Sequence, residues 1–192
     1  MKNEKPNRTY AFDLLKRYNK NEALIRHALS VEAVMVHFSE FFHEDSEKWG
    51  IIGLIHDIDY EKYPDQHCIK AREILTLEQW PDSYIHAVES HGWKLAVDVK
   101  PEEKMEIVLY TIDELTGLIA ASSIVRPSKS ILDLTVPSIK KKWKQKGFAA
   151  GVNRKIIEEG ATMLGIDLEQ VIEETLKGMQ KAAEVIGLKG TL

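Results

Sequence analysis

Residues 49–59, WGIIGLIHDID, decide how this chain is read. From Trp49 to Ile55 the stretch is apolar on every side, so as a helix it belongs inside the protein and not half-sunk in its surface. His56 and Asp57 then follow with no polar interval. Burying an unpaired carboxylate costs on the order of several kcal/mol, so Asp57 needs a metal, a cation or several donors beside it. The alternative is that the helix simply ends there and the pair emerges into water. The segment therefore predicts a core helix over about residues 46–58, with either chemistry or solvent at its C-terminal end.

Outward from this helix the apolar residues keep helical spacing almost throughout, and no run alternates as a strand would. Helices are expected over about residues 9–18 and 21–42, the second with Ala28, Val31, Met35, Phe38 and Phe42 on an inward stripe. Residues 59–65 contain Tyr63-Pro64-Asp65 and read as a loop, followed by a helix over about residues 66–75. Pro81 suits the first position of a helix that ends near His91-Gly92. Pro101-Glu102-Glu103 opens another, EIVLYTIDELTGLIAAS, with acids favourably set against the helix dipole. Beyond Arg126-Pro127, Lys140, Lys141, Lys142, Lys144 and Lys146 fall in a short helix closed by Gly147. Asp167 with Gln170 reads as a capping box for a last helix, LEQVIEETLKGMQKAAEVIG. The expectation is a single all-α domain over residues 1–192. Residues 20–125 form its chemical core, and residues 126–192, which hold no histidine, complete the bundle or shape a substrate mouth.

A chain of 192 residues suffices for one sizeable core and hardly for two ordinary domains. Its 44% hydrophobic and 29% charged residues fit a soluble globular protein, and a net charge of −4 offers no global attraction to nucleic acid or an anionic membrane. One cysteine, Cys68, excludes an internal disulfide and suits a reducing compartment. The first residues, MKNEKPNRTYAFDLL, lack the apolar centre of a signal peptide, and no uninterrupted apolar stretch reaches about 18 residues. A cytoplasmic protein with no membrane span is expected. Trp49, Trp80 and Trp93, read as exposed, leave room for a homodimer. The lysine cluster reads as a solvated helix face and not a nucleic-acid patch, because no aromatic ladder accompanies it beyond Trp143.

All seven histidines lie between positions 27 and 91. His27 heads an apolar stripe with Val31, Val34 and Phe38 at spacings of four, three and four, which turns its imidazole inward. Asp113 sits within VLYTIDELTGLIA, among Leu109, Ile112, Thr116 and Ala120, while Glu114 beside it is expected to face solvent. Gly117, one turn on, lowers helix stability but lets another helix or a ligand approach that carboxylate. Taken singly, His27 reads equally as a satisfied core histidine and Asp113 as a surface acid. Taken together with His56 and Asp57, they make two imidazoles and two carboxylates, a suitable set for Mn²⁺, Fe²⁺, Co²⁺, Ni²⁺ or Zn²⁺. Mg²⁺ is admitted but prefers oxygen ligands. Four protein ligands around a six-coordinate ion leave positions open for water and a phosphoryl oxygen.

The order His27, His56-Asp57, Asp113 resembles the H…HD…D signature of the HD superfamily of metal-dependent phosphohydrolases. The flanking text RHALSVEAVM, GLIHDID and LYTIDELTGL is similar too, and the likeness covers about residues 20–125. It implies an α-helical bundle of the HD type in which these four residues bind one metal, with Asp57 and His56 at the catalytic centre, and hydrolysis of phosphate esters, usually of nucleotides. In some branches two further histidines hold a second ion, and His67 in YPDQHCIKAREIL and His91 in AVESHGW occupy similar places. His86 lies about 140° round a helix from His91, which argues against both reaching one ion, and is expected nearer a substrate phosphate. One ion is expected, or two if His67 and His91 both bind, a bridging hydroxide then being the nucleophile. The other reading of these three histidines is hydrogen bonding at the surface or between helices. The chain departs from the pattern after the doublet, where many members have Ile-Gly-Lys and this one has Ile58-Asp59-Tyr60-Glu61-Lys62. Asp59 and Glu61 read as solvated loop acids, or else as a general base or an orienting group. Arg26 and Lys94 read as surface cations or phosphate ligands, and His37 and His43 as structural or surface residues.

The resulting expectation is a phosphomonoesterase or phosphodiesterase acting on a nucleotide or another small phosphorylated molecule through metal-activated water. Two readings compete with it. One is a di-iron oxygenase of the HD type, which needs both His67 and His91 as ligands. The other is a non-catalytic module binding a nucleotide or partner, for which the lysine cluster is the best support.

Overall fold

Short polar side chains set where the first three helices begin. Asn7 accepts the N–H of Tyr10, Asn21 that of Ala23, and Asp45 those of Glu47 and Lys48, each satisfying amide donors that a helix start leaves without partners. They open α1 (Arg8–Tyr18), α2 (Glu22–Phe42) and α3 (Ser46–Ile55). A short 3₁₀ turn, Pro64–Gln66, leads into α4 (Ile69–Leu77) and α5 (Asp82–Ser90). The long α6 (Lys104–Ile124) starts where Glu106 reaches back to the N–H groups of Glu102 and Glu103. The chain closes with α7 (Val136–Trp143), α8 (Arg154–Leu164) and α9 (Leu168–Lys181). The computed structural model describes residues 6–192, and among them there are nine α-helices and no β-strand. The N-terminal stretch read for a signal segment begins in residues 1–5, outside the described residues.

Every residue of α3 from Trp49 to Ile55 is buried, as an all-apolar helix requires. α2 lies along it and against α9, while α6 packs on α2 and α8, so α2 and α6 frame the interior. One contiguous cluster of buried side chains draws on all nine helices and on Ile186 and Leu188 beyond α9. α6 is long and apolar enough to cross a membrane, but 61% of that window is buried inside the protein, the placement of a core helix.

Several expectations fail locally. α3 stops at Ile55 and not Ile58, because the chain tightens into turns in which Ile58, Tyr60 and Lys62 donate to carbonyls three residues back. α4 begins three residues later than expected, after Cys68 takes a positive φ of 68°. The Asp167 side chain makes no capping bond at α9, and α8 had no counterpart in the sequence reading. Trp49 and Trp80, expected to be exposed, are buried in the core, and Trp93 is half-buried against Tyr110. In the lysine cluster, Lys140 pairs with Glu169 and Lys142 lies 4.7 Å from the Phe148 ring centroid.

α2 approaches α3 at Gly53, where a Cβ would meet the Glu32 backbone at 3.1 Å and Met35 Cγ at 2.8 Å. Gly117 in α6 is the opposite case, since a Cβ there would find only Val152 at 4.0 Å. Gly53→Ala is therefore expected to destabilise by about 1–3 kcal/mol through overpacking against backbone. Gly117→Ala should stabilise by about 0.5–1 kcal/mol through helix propensity. Urea denaturation midpoints check both, and equal shifts would contradict this packing.

Candidate metal centre

Two histidines end two helices in the same way. His56 follows α3 and turns its Nδ1 back to the Gly53 carbonyl at 2.8 Å. His91 follows α5 and turns its Nδ1 back to the Val88 carbonyl. Each imidazole thus satisfies a carbonyl that the helix end leaves unpaired. A carbonyl can only accept, so both Nδ1 atoms carry the proton and both Nε2 atoms point inward as lone-pair donors when the rings are neutral. His67, placed by the turn at Cys68, is anchored likewise: its Nδ1 is 2.9 Å from Asp59 Oδ1.

The inward nitrogens converge on Asp57. Its Oδ2 is 3.4 Å from His56 Nε2 and 3.6 Å from His27 Nε2. Its Oδ1 is 3.4 Å from His67 Nε2 and 3.5 Å from His91 Nε2. Asp113, carried by α6, closes the first group, with Oδ1 2.9 Å from His27 Nε2 and 3.3 Å from His56 Nε2. Within each group the two imidazole nitrogens stand only 3.2 Å apart. The six side chains form two adjoining donor sets that share one carboxylate.

Such a cluster demands positive charge. Burial alone would lower the His56 pKa, but the Asp57 charge and the hydrogen bond to Asp113 outweigh it and push it up to about 10. Burial opposes protonation of His67 also, yet Asp59 lifts it to about 9. His91 is raised well above its ordinary value, Asp57 and the neighbouring Cys68 overcoming its burial. Burial would raise both carboxyls, but the charge of His56 holds Asp57 far below the usual range and the hydrogen bond from His27 does the same for Asp113. Protons are one means of meeting that demand. A divalent ion among mixed nitrogen and oxygen donors is another, and the set suits borderline first-row metals. Three of the four imidazoles already have their second nitrogen fixed by a carbonyl or carboxylate, the outer support that metal-ligating histidines use. The residues fit a metal, and groups of three within His27, His56, Asp57, His67, Cys68, His91 and Asp113 lie close enough to hold one.

The structure thus brings together His27, His56, Asp57, Asp113, His67 and His91, and all but the fully buried His56 line a cavity of about 460 Å³. It does not bring His86 there. That ring donates to Glu106 at 2.7 Å, at the start of α6, because Glu106 is the buried acid nearest its side of α5. Asp59 is not a solvated loop acid. It is fully buried and accepts both from His67 and from the Ala71 N–H at 2.8 Å. Glu61 is exposed and accepts the N–H groups of Lys20 and Asn21. Glu114, expected in solvent, lines the cavity and accepts the Asn153 N–H at 3.0 Å; burial holds its carboxyl above the ordinary value. Lys94 pairs with Glu159, and His37 with Glu174 at 2.7 Å. Exposed His43 ends α2 with a positive φ of 59°.

Sequence reading missed Cys68. Its sulfur is buried 4.0 Å from both ring nitrogens of His91, and although burial would raise the thiol, the charge of His91 draws it down to about 7. Adjacency to His67 was the one available signal. No protein-family model matches this chain, and no solved structure matches it.

Asp59→Ala is expected to weaken metal binding at the His67–His91 pair by about 10–100-fold, since it frees the ring that presents Nε2. His86→Ala should leave metal content unchanged. Calorimetric titration with Mn²⁺ or Co²⁺ reads both, and identical isotherms for the wild type and Asp59→Ala would remove Asp59 from the site.

Proposed function

We propose that this protein is a metal-dependent phosphohydrolase that cleaves a phosphate ester of a nucleotide or another small metabolite. The observation that carries the reading is the division of Asp57, one oxygen toward His27 and His56 and the other toward His67 and His91, at the floor of an open cavity. His27, His56, Asp57 and Asp113 would hold one ion, and His67, His91 and Asp57 a second. When bound, such ions polarise a phosphoryl oxygen and make water a nucleophile at neutral pH. The protein's own part is to hold a proton on Nδ1 and aim each Nε2 inward, which the Gly53 and Val88 carbonyls and Asp59 do for three of the rings. Asp57 and Asp113 hold their negative charge where cations must enter. Tyr60, Pro64 and Leu95 wall the cavity and limit the water that reaches it. The likeness of H…HD…D to the HD superfamily supports hydrolysis, and the two added histidines favour two ions over one. The cytoplasm is the compartment proposed, in keeping with a single buried thiol.

A second reading gains from the same geometry. A di-iron oxygenase of the HD type requires both His67 and His91 beside the doublet, and both are there. Anaerobic and aerobic assays separate the two, because a phosphohydrolase releases phosphate without dioxygen.

With Mn²⁺, Co²⁺ or Ni²⁺ added, the protein is expected to hydrolyse p-nitrophenyl phosphate or its bis ester. Asp57→Ala should lose more than about a thousandfold in turnover while remaining helical by circular dichroism, because both donor sets lose their shared carboxylate. Elemental analysis should show metal content falling in Asp57→Ala and in His27→Ala. Full activity in Asp57→Ala would end this proposal.

A further inference from the structure

A second cavity, of about 630 Å³, adjoins the metal cavity, and His27 and Gly117 line both. Its other walls come from four parts of the chain. α2 contributes Ala23 and Arg26, α6 contributes Ala120 and Ile124, the loop after α6 contributes Lys129, and the segment after α9 contributes Ile186 and Leu188. That last segment is pinned by the Ile131 N–H donating to the Leu188 carbonyl at 2.8 Å. Most of the lining is apolar, yet two cations, Arg26 and Lys129, face it, and neither has a carboxylate partner among the described residues. Arg26 lies along Gly187, where an added Cβ would come within 3.1 Å of the guanidinium. Glu22 is the one acid in the lining, one turn before Arg26, and the two do not pair.

An apolar chamber with a few polar groups is the common form of a small-molecule site, and its volume suits a group of metabolite size. The donors of this chamber are both positive, and guanidinium recognises carboxylate or phosphate through paired N–H groups. Because the chamber opens beside His27, a molecule lying in it extends from the metal centre. Gly117 is the residue of α6 that both cavities share, and an added Cβ there would meet only Val152 at 4.0 Å.

We propose that the second cavity, lined by Arg26, Lys129, Ala120 and Ile186, is the leaving-group subsite, and that it selects phosphate esters whose organic half is largely apolar and bears a second anionic group. This rests on the phosphohydrolase reading. Arg26 and Lys129 hold the remote anion, and the apolar walls take the ring or chain between it and the scissile phosphate.

Paired probes test it with the full chain and Mn²⁺ or Co²⁺: phenyl against 4-carboxyphenyl phosphate, and naphthyl against 6-carboxynaphthyl phosphate. The wild type is expected to favour a carboxylated probe at least tenfold in kcat/KM. Arg26→Gln, at an exposed position, should reduce that ratio by about tenfold, the scale of one charge-assisted hydrogen bond. Ala120→Phe should fill the chamber and reduce the ratio of naphthyl to methyl phosphate turnover by a similar factor. Phosphate release with both ratios unmoved by the two variants would overturn the subsite and leave the hydrolase standing. Absence of phosphate release from every probe with every metal would overturn the hydrolase instead. The subsite would then be judged by calorimetric binding of 6-carboxynaphthyl phosphate: a weaker Kd in Arg26→Gln sustains it, and an unchanged Kd or no binding removes it.

Discussion

One carboxylate with four imidazole nitrogens around it, in the interior of an apolar bundle, is the constraint that the rest of the molecule answers. Among the described residues Asp57 has neither an arginine fork nor a run of backbone amides, the donors that normally tame a buried acid. Its neighbours are rings whose inner nitrogens are basic, and the nitrogens of each pair are near enough to repel unless a cation or a proton stands between them. The cost of assembling these groups has to be met by the surrounding packing. α3 is sealed on all sides by apolar neighbours, α2 comes close enough at Gly53 to exclude any side chain, and α6 delivers Asp113 from a helix that is itself largely core. A looser bundle would let water in and let the rings turn. With the backbone this tightly set, the donors hold their directions before any ligand arrives.

The same constraint explains where the helices stop. His56 and His91 both stand just past a helix end, and both rings return to the carbonyl three residues earlier. That contact closes the helix, fixes the tautomer and aims the outer nitrogen in a single step, so termination and ligand placement are one event. It also accounts for the burial of Asp59. With His56 and His91 anchored by backbone, His67 arises in a turn with no helix end to use, and a buried carboxylate takes that place.

What was legible in the sequence follows from this. Helical spacing and the apolar WGIIGLI run located the core helices, because burial of a helix face is written in every third or fourth residue. His27, the His56-Asp57 doublet and Asp113 stood out because polarity inside an apolar pattern is costly. The boundaries at residues 55–58 and 66–69 were not legible: a histidine side chain taking a backbone carbonyl, and a cysteine with positive φ, leave no periodic trace. Asp59 reads first as a solvated acid and second as an orienting group, and its contact with His67 fits the second; the loop text around it looks polar, and only the approach of Ala71 from elsewhere completes its burial. Glu114 is expected in solvent, and its contact with Asn153, far along the chain, has no local signal. The tryptophans show the same limit, since whether a large ring at a helix margin is covered depends on which element folds over it. Residues 126–192 carried least signal of all, for they contribute walls and no histidine or donor of the metal cluster.

Those walls nonetheless decide what the site can discriminate. Under the proposed function, a metal centre here would treat one phosphoryl group much like another, since its donors would address the phosphorus and its oxygens and not the alcohol beyond them. Choice among esters would then come from groups that contact the leaving half. The residues that line the second cavity lie on α2, on the far half of α6 and on the segment after α9. Gly117 lines both cavities, although it weakens α6 locally. The helix carries that weakness one turn from Asp113, where nothing in the packing requires a glycine and both cavities take that residue into their walls.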